Sequence, residues 1–489
     1  MLLFAVGGVF ATSSIAKYRL ANARYTEDLA VSVSAPGFTL GALERDVTNP
    51  LEEALSQVNG VESLRSTTTG DSVMIKLSVT AVGVDAPGPT TLVHDAVQRT
   101  LSSLPREVEV PMVQHVDPSS VTQHFLVRSE TLTRVELSRW LDDQARMQLQ
   151  LQNGVREVRL CGAARPELRI DLDQARLRAL GLTATEVIDA LESTRPAGIS
   201  NSGTTLTVRS ERLTMDTLQD LTLKSGAKLR DVARMQLSAE PGRCRSTPDL
   251  LMSVRTMPGV LLKLPEHPAA KVTPFVPLRI ATYASAPGTP VEQAMSALSK
   301  AVPGAIVTSE EGEFTLMLPE NRPLPELPGI ALRSVDEPHG VVQVMGADFD
   351  LLREVSAKAR ALLEKEPASW VGVPWPQLAP EKVIIATPGV KDIARTVQLA
   401  ITGVEVGELS DGTGIRLRAG SSLEDAVLPD GRPLSEVVRV KLEEKPAAML
   451  HVNRQRVVEI ETGLTVKEAQ RRLLELQPPA GVSISCTER

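Results

Sequence analysis

Aromatic residues are scarce in this chain of 489 residues, at 3% of the sequence. The hydrophobic cores must therefore be built from aliphatic side chains. A surplus of positive charge is also missing, because the formal net charge is −7. Proteins that bind nucleic acid usually carry a basic surface, so the composition argues against nucleic acid as a partner.

Cysteine and histidine are present without the spacings that build sites. Cys161, Cys244 and Cys486 form no C-x-x-C pair, which predicts free or buried thiols rather than a disulfide framework or a zinc site. The six histidines show no H-x-x-x-H or H-x-H spacing, and there is no G-x-S-x-G elbow or phosphate-binding loop. We therefore predict that the protein is not an enzyme, with no catalytic residues, no metal and no cofactor.

Long apolar runs are missing after the N-terminus. Residues 2–16 carry no charge and are followed by Lys17 and Arg19. This run is shorter than the ~20 residues of a membrane helix, and it fits a signal-type segment, a short or truncated membrane anchor, or a buried helix. Membrane targeting is favoured because the run lacks a polar helical face. The rest of the sequence does not predict repeated membrane crossing, since no other apolar run reaches about 18 residues.

Alternating strand and helix patterns fill most of the chain. In residues 72–79 apolar side chains recur at every second position, which is typical of a strand with one buried face. Residues 43–55 carry an apolar residue at every fourth position, which is typical of a helix packed on one side. Strand, helix and strand follow again in residues 122–129, 133–152 and 154–160. This order predicts an α+β fold in which helices cover one face of each sheet.

A proline interrupts the first helical pattern. Pro50 stands inside "ERDVTNPLEEAL", and proline has no N–H for the helical hydrogen bond. We predict a bend or a new helix start here, with Thr48 or Asn49 as the N-cap and with Glu52 and Glu53 in the first turn that follows.

The chain repeats itself over a long period. The stretch "LRIDLDQARLRALGLTATEVIDAL" leads to "TPDLLMSVRT", and "TPGVKDIARTVQLAI" leads later to "NRQRVVEIET". Matching positions such as Gly181 and Gly389, or Thr256 and Thr462, are separated by 208 and 206 residues. The stretch "SAPGTPVEQAMSALSKAV" likewise matches "SAPGFTLGALERDVTNPLEEAL". A nearly constant offset of this kind indicates two homologous halves.

These stretches also resemble a known family. The segment "VSVSAPGFTLGALERDVTNPLEEALSQVNGVESLRSTTTGDSVMIKLSV" resembles the first porter subdomain of resistance-nodulation-division (RND) efflux pumps. The segments "NGVREVRLCGAARPELRIDLDQARLRALGLTATEVIDAL" and "AKLRDVARMQL" resemble the second porter and docking subdomains of that family. The resemblance runs in order through both halves from about residue 25. Within the family, the chain resembles the pumps that export hydrophobic and amphiphilic compounds.

The resemblance implies duplicated ferredoxin-like porter subdomains with a docking subdomain inserted in each half. The expected boundaries are an apolar N-terminal segment 1–24, a first porter subdomain 25–122, an incomplete second porter subdomain 123–167, a first docking subdomain with its return strand 168–256, a Pro-rich junction 257–277 in place of membrane helices, a third porter subdomain 278–333, the first part of a fourth 334–385, a second docking subdomain 386–449 and the last part of the fourth porter subdomain 450–489.

The departures from the family pattern bear on function. RND pumps load and release protons on acidic residues of their membrane helices, and the segment after Thr256 is too polar to be such a helix. We therefore expect a periplasmic porter and docking module that binds or relays amphiphilic substrates and does not pump alone. The alternative is a degenerate paralogue that acts as a structural or assembly component of a cell-envelope complex.

Three residues are candidates for substrate binding. Phe125 lies where the family often has an aromatic pocket residue, Cys161 lies where another aromatic is common, and Phe314 lies near the place of the family's switch loop. Lone aromatic residues at strand positions are usually core residues, and this alternative stays open for both phenylalanines.

The resemblance also implies partners and a location. Family members form homotrimers that hand their substrates to a membrane-fusion adaptor and an outer-membrane channel, and a separate membrane subunit is a further possible partner. Only "ISNSGTT" stands where the family has a long docking arm, which weakens the expectation of a trimer. The expected location is the periplasmic face of the inner membrane, held by the N-terminal segment, or the periplasm.

Overall fold

The computed structural model describes most of the chain. The described residues are 24–35, 37–82, 87–116, 119–193, 199–202, 205–208, 213–242, 244–286, 289–310, 313–365, 370–390, 392–409, 411–419, 423–424 and 426–488. Nearly all of the predicted N-terminal segment therefore lies outside the described residues. Within the ranges above, no helix is both long enough and apolar enough to cross a membrane.

The structure contains 25 strands in its described part. They are β1 (Arg24–Ser34), β2 (Val61–Thr68), β3 (Ser72–Val82), β4 (Met112–Val116), β5 (Val121–Arg128), β6 (Val155–Cys161), β7 (Ala164–Leu172), β8 (Ile199–Ser202), β9 (Thr205–Val208), β10 (Ala233–Pro241), β11 (Arg245–Thr247), β12 (Leu250–Thr256), β13 (Lys271–Phe275), β14 (Arg279–Ser285), β15 (Ile306–Glu310), β16 (Glu313–Leu318), β17 (Ile330–Val335), β18 (Gly340–Met345), β19 (Leu378–Ala386), β20 (Val404–Glu408), β21 (Gly414–Ala419), β22 (Val438–Pro446), β23 (Met449–Val452), β24 (Gln455–Thr462) and β25 (Ser483–Glu488).

The helices are short and lie between the strands. They are α1 (Leu40–Leu43), α2 (Asn49–Ser56), α3 (Pro89–Thr100), α4 (Arg134–Trp140), α5 (Arg146–Gln150), α6 (Gln174–Ala179), α7 (Ala184–Ser193), α8 (Met215–Gln219), α9 (Leu229–Val232), α10 (Val291–Ala301), α11 (Phe349–Leu363), α12 (Ile393–Ile401), α13 (Leu434–Val437) and α14 (Val466–Leu473), with π-helical turns at Glu44–Thr48 and Leu141–Ala145 and a 3₁₀ turn at Leu101–Ser103.

The first unit has the β-α-β-β-α-β order of a ferredoxin-like fold. Its strands lie side by side in the order β2-β3-β1-β4, and every neighbouring pair is antiparallel. The helical apolar pattern predicted for residues 43–55 supplies part of the core, where Leu43, Val47, Leu51 and Leu55 are fully buried. The strand pattern of residues 72–79 supplies the facing side, so the sequence prediction for this unit is confirmed.

The predicted restart at Pro50 takes the form of a widened helical turn. The π-helical turn Glu44–Thr48 joins α1 to α2, and the helix passes through Pro50. A widened turn accommodates a residue that has no N–H to donate. Thr48 is one of the two predicted N-cap residues, but its side chain does not cap α2. Its hydroxyl is hydrogen-bonded instead to that of Thr68, at 2.7 Å. A second π turn, at Leu141–Ala145, contains no proline.

The second and third units keep the same strand order with one helix fewer. Their sheets run β13-β5-β12-β6 and β15-β16-β14-β17, and β11 adds to the edge of the latter beside β15. Irregular segments, 257–270 and 319–329, precede the last strand of each unit and contribute side chains such as Leu264 and Leu327 to the cores. Strand β13 thus lies within residues 257–277, the predicted Pro-rich junction.

The fourth unit joins the first in one continuous sheet. This eight-stranded sheet has the order β25-β18-β24-β23-β2-β3-β1-β4, and antiparallel pairing between β23 and β2 links the two units. The strands of the fourth unit come from chain segments more than 100 residues apart, because the second insertion separates them. The two ends of the described chain are therefore held together by backbone hydrogen bonds.

Two insertions, residues 164–241 and 378–446, project from the second and fourth units. The hairpin β20–β21 of the second insertion joins the sheet of the first through parallel pairing of β21 with β7. Strands β19 and β22 form a separate two-stranded ribbon, and β8 and β9 form another. The chain is therefore α+β, as the sequence predicts, with four small sheet units and two insertions.

Candidate functional site

A cleft of about 760 Å³ opens between the sheets of all four units. We call it the central cleft. Its walls are the strand faces that carry no helices, as the alternation along β12 makes clear. Leu251, Ser253 and Arg255 line the cleft, whereas Met252 and Val254 point into the core of the second unit. Because side chains alternate along a strand, a shift of one position separates a cleft residue from a core residue.

The three candidate residues from the sequence occupy different places. Phe125 is 5% exposed in the core of the second unit, and Phe314 is fully buried in the core of the third. Each lies one position out of phase with a cleft residue, His124 and Thr315 respectively. Cys161 does line the cleft. The predicted roles of the three in substrate binding stay predictions.

The structure corrects the prediction of free thiols at two of the three cysteines. Cys161 and Cys244 form a disulfide, and both line the central cleft. The bond joins the chain segments on either side of the first insertion, where the Gly162 N–H also donates to the Cys244 carbonyl at 2.8 Å. A separation of 83 residues leaves no local spacing that reveals this pairing. Cys486 is a free thiol.

Charged side chains cover much of the cleft wall. The lining includes five cations and four carboxylates, namely Arg65, Lys76, Arg159, Arg255 and Arg333 with Asp71, Glu157, Glu310 and Glu313. Arg255 pairs with Glu157 at 3.0 Å within the second unit. Arg159 of the second unit pairs with Glu310 of the third, across the cleft. The wall is therefore nearly neutral overall but carries both signs of charge close together.

Apolar side chains provide a second kind of surface in the same cleft. Met74, Leu251 and Met317 come from three different units. Trp375 adds the flat face of an indole, with the guanidinium of Arg333 centred 4.3 Å above it. This stacking is a cation–π contact. Sequence reasoning missed Trp375, because it lies in an irregular segment that neither periodicity nor the family pattern singles out.

His124 is a polar residue of the cleft whose side chain can titrate. Its Nδ1 lies 2.9 Å from the hydroxyl of Ser253, and burial lowers the pKa of the imidazole. A histidine with a lowered pKa is uncharged at neutral pH. It can therefore accept or donate one hydrogen bond to a bound solute without adding charge.

A buried ion network joins the first and fourth units behind the cleft wall. His451 of β23 is 3% exposed and lies between Glu44 and Glu52, which come from the helix around Pro50. Its Nδ1 is 3.0 Å from both carboxylate oxygens of Glu52, and its Nε2 is 3.0 Å from Glu44. Ser66 donates to Glu52 at 2.5 Å, and Arg456 donates twice to Glu44 at 2.5 and 2.7 Å.

The network shifts the titration of its members. Burial by itself lowers the pKa of His451, but the hydrogen bonds and charges of Glu44 and Glu52 outweigh it and raise the pKa to about 9. Burial raises the pKa of Glu44, and the hydrogen bonds to His451 and Arg456 overcome this and lower the pKa to about 2. Near neutral pH the imidazolium is thus held between two carboxylates in a buried interface.

A second ion pair connects this interface to the cleft. Arg65 lines the cleft from β2 and donates to both carboxylate oxygens of Glu459 on β24, at 2.6 and 2.5 Å. Gln343 of β18 donates to the same carboxylate at 3.0 Å. The Glu459 side chain is buried, so the pair is a bidentate contact shielded from water. It fixes the position of one cleft residue relative to the fourth unit.

Metal binding has no visible basis in the described part of the chain. No group of three or more His, Cys, Asp or Glu side chains there is arranged to hold a metal ion. Three of the four cleft carboxylates, Glu157, Glu310 and Glu313, are engaged instead with arginine side chains.

Known proteins with similar sequences are transporters. An uncharacterized transporter of Haemophilus influenzae is 27% identical over 232 residues, which is 45% of this chain and 22% of that protein. The multidrug resistance protein MdtC of Pectobacterium carotovorum is 27% identical over 246 residues, which is 47% of this chain and 24% of that protein. The matched region spans about a quarter of the length of these relatives.

Solved structures with a similar fold come from the same kind of protein. The crystal structure of a heavy metal efflux pump superposes with a TM-score of 0.73 over 99% of this chain and 82% of that one, at 12% identity. At this identity the match establishes the fold alone. The model of the AcrB/AcrD/AcrF family matches residues 1–260, which is more than half of the chain. The resemblance seen in the sequence is thus confirmed, and the protein belongs to the AcrB/AcrD/AcrF family of RND transporters.

Proposed function

We propose that this chain is a periplasmic porter and docking module of an RND efflux transporter, in which the central cleft binds the substrate. The observation that carries the proposal is the cleft, which is lined from all four units and has a volume of about 760 Å³. Pockets for compounds of drug size fall in a range of ~300–1,000 Å³. Membership of a transporter family supports efflux as the process in which the chain takes part.

The composition of the cleft wall favours an amphiphilic solute. Met74, Met317 and Trp375 provide apolar contacts for a hydrocarbon chain or ring, while the neighbouring ion pairs can exchange partners with a charged group. In this proposal Phe125 and Phe314 shape the cleft from behind, because they pack beneath strands that line it.

The proposed location is the periplasm or the periplasmic face of the inner membrane. The Cys161–Cys244 disulfide supports this location, because disulfides persist in oxidising compartments such as the periplasm. The N-terminal segment is the proposed anchor, so removal of residues 1–20 is expected to move the protein from the membrane fraction to the soluble fraction. Unchanged fractionation would reject the anchor.

In this proposal the energy-coupling step belongs to membrane helices, and a separate membrane subunit is a proposed partner that would supply them. The chain would bind the substrate and relay it to a membrane-fusion adaptor and an outer-membrane channel. Purification of the tagged chain from native membranes, followed by mass spectrometry, is expected to recover such a membrane subunit at a constant ratio to the chain. Recovery of the chain alone would count against a separate membrane subunit as its partner.

A homo-oligomer is supported by the pseudo-symmetry of the two insertions. β7 of the first insertion accepts the hairpin β20–β21 at its edge, whereas β19 in the matching position of the second pairs only with β22 among the described strands. The hairpin β8–β9 is the counterpart of β20–β21. In this proposal the hairpin of one copy adds to β19 of the next copy. Such a head-to-tail contact generates a ring when the rotation between copies closes.

The oligomer can be tested by light scattering. Replacement of residues 199–208 by a short Gly-Ser turn is expected to convert the oligomer into monomers, since it removes the added hairpin. An unchanged molar mass, or a monomeric wild type, would contradict the head-to-tail contact.

Substrate binding can be tested by fluorescence anisotropy of an amphiphilic dye titrated with purified protein. We expect saturable binding by the wild type and roughly tenfold weaker binding by Thr315→Trp, because the added indole occupies the cleft. Leu180→Trp adds the same side chain on the first insertion and is expected to bind like the wild type. Equal affinities for the two variants, or no saturable binding by the wild type, would contradict the proposal.

A structural role is the second candidate, and one observation favours it. The Arg159–Glu310 pair joins the second unit to the third across the cleft, as expected of a part that holds an assembly together. In that case the dye would show no saturable binding, and Arg159→Met would lower the stability of the protein only slightly, because both side chains of the pair are partly exposed.

A further inference from the structure

A groove lies on the side of the second and third units that carries the helices α4 and α10. We call it the rear groove. It has a volume of about 530 Å³ and is lined by α10, by β11 and by the chain segments that enter and leave the first insertion. Cys244 lines both the rear groove and the central cleft, so the disulfide forms part of the wall between them. A ligand in the rear groove would therefore occupy a site distinct from the cleft.

One face of α10 forms the floor of the rear groove. Glu292, Ser296 and Lys300 recur at every fourth position, which places them along one side of the helix. Ala294 and Leu298 face the core of the third unit instead. At ~1.5 Å per residue, this side of the helix extends ~12 Å from Glu292 to Lys300. The rear groove is thus elongated, and its length suits an extended chain.

The wall of the rear groove is mainly apolar. Met295 contributes a thioether from α10, and Ala163, Ala164 and Ala239 line the groove from the ends of the first insertion. Contact of a hydrocarbon chain with such a wall is favourable, because it removes apolar surface from water. The volume lies within the ~300–1,000 Å³ that is typical of small-molecule sites. The wall therefore suits the apolar part of a small ligand.

The charge of the rear groove differs from that of the chain as a whole, which is −7. The described residues that line the groove include three cations and one carboxylate, namely Arg134, Arg245, Lys300 and Glu292. Arg245 and Glu292 pair with each other. Arg134 donates two hydrogen bonds to backbone carbonyls, at 2.8 and 2.9 Å, which hold its guanidinium in place without neutralising it. The groove is therefore complementary to a negative charge.

We propose that the rear groove is a second ligand site, which binds an amphiphile with a single anionic head group. The head group contacts Lys300, and the apolar chain lies along α10 over Met295. Arg134 adds a fixed positive charge to the wall. The carboxylate of Glu292 lies at the other end of the helix face and would repel a second negative charge, so a ligand with one charged end is favoured over one with two.

The proposal can be tested with the full-length protein and dansylaminoundecanoic acid, whose emission increases when the dansyl group leaves water. The titrations use the Thr315→Trp background, in which an indole fills the central cleft. We expect saturable binding that Lys300→Glu weakens about tenfold, because the head group loses its cation and meets a carboxylate. Lys467→Glu makes the same change of charge at an exposed position of α14 in the fourth unit and is expected to have no effect. The uncharged methyl ester should bind the groove more weakly and should not respond to Lys300→Glu.

Ser299→Trp provides a test that does not depend on charge. Ser299 lines the rear groove from α10 and is partly exposed, so an added indole would fill the groove and abolish the binding of both the acid and the ester. Leu180→Trp adds the same side chain on the first insertion and should bind the acid like its parent.

The outcomes separate the rear groove from the central cleft. The absence of saturable binding in the Thr315→Trp background would overturn the proposal, and so would affinities that neither Lys300→Glu nor Ser299→Trp reduces. If the acid bound the wild type and Thr315→Trp equally well, and Ser299→Trp abolished its binding to both, the result would support the rear groove and count against the cleft as the binding site.

Discussion

Replacement of His451 by glutamine is expected to destabilise the contact between the first and fourth units by about 3 kcal/mol. The imidazolium is the buried cation between Glu44 and Glu52, and Ser66 is the other side-chain donor to Glu52. Its pKa rises from the usual 6.5 to about 9 in the folded protein. At 1.36 kcal/mol for each pKa unit this corresponds to ~3 kcal/mol. Breaking a buried ion pair costs a similar ~3–5 kcal/mol.

The same shift fixes the direction of the pH dependence. A group whose pKa is higher in the folded state stabilises the fold fully below its unfolded pKa, near pH 6.5, and loses this contribution as the pH rises through about 9. The wild type is therefore expected to lose stability between pH 7 and pH 10, and His451→Gln is expected to lose about 3 kcal/mol less over that interval. Urea unfolding followed by circular dichroism at both pH values measures the difference.

A matched control comes from a histidine of the same sheet. His115 on β4 is exposed, and its Nε2 lies 3.6 Å from the carboxylate of Glu27. His115→Gln is expected to leave both the stability and its pH dependence unchanged, because surface ion pairs contribute little. If His451→Gln behaved like His115→Gln, the reasoning about the buried network would be refuted.

Three further predictions concern the loss of stability at acid pH, the disulfide and the tryptophan of the cleft. Because the pKa of Glu44 is lowered from 4.5 to about 2, its contribution to stability is present above pH 4.5 and lost as the pH falls through 2. Glu44→Gln is therefore expected to reduce the loss of stability at acid pH, as measured by ellipticity in a pH titration. The double variant Cys161→Ser with Cys244→Ser is expected to lose ~4 kcal/mol of unfolding free energy, because the disulfide closes a loop of 83 residues. A reductant should cause the same loss in the wild type, whereas Cys486→Ser should not. Equal urea midpoints for the double variant and the wild type would contradict the expectation. Binding of the dye is expected to change the tryptophan emission of the wild type, and Trp375→Phe is expected to abolish this change. Trp370 lies in the core region of the third unit, so Trp370→Phe should retain the change. The reverse pattern would show that Trp375 is not part of the site.

The fold was largely predictable because its signals are local. Alternation in residues 72–79 and the helical spacing of residues 43–55 each reflect one buried face, and both elements form as expected. The accommodation of Pro50 by a π turn was less accessible, since a widened turn leaves no distinct mark in the hydrophobic pattern. The second unit has a similar turn without any proline.

The site was less predictable because it depends on contacts between distant segments. His451 lies 399 positions from Glu52 and 407 from Glu44, and no spacing rule connects such residues. The disulfide is hidden for the same reason. The alternation of side chains along each strand can, however, be read from the sequence. Phe125 shares its parity with Val127 and Phe314 with Leu316, and these neighbours are core residues, so alternation alone could have placed both phenylalanines beneath the cleft wall.

The most direct test of the account is photo-crosslinking of a diazirine-bearing amphiphile to the purified protein, with the labelled peptides identified by mass spectrometry. If the central cleft binds the substrate, the adducts will map to the cleft-lining strands of several units, chiefly β3, β12 and β16, and Thr315→Trp will suppress them. Adducts confined to the two insertions, or spread evenly over the surface and unaffected by Thr315→Trp, would contradict the assignment of the cleft as the binding site.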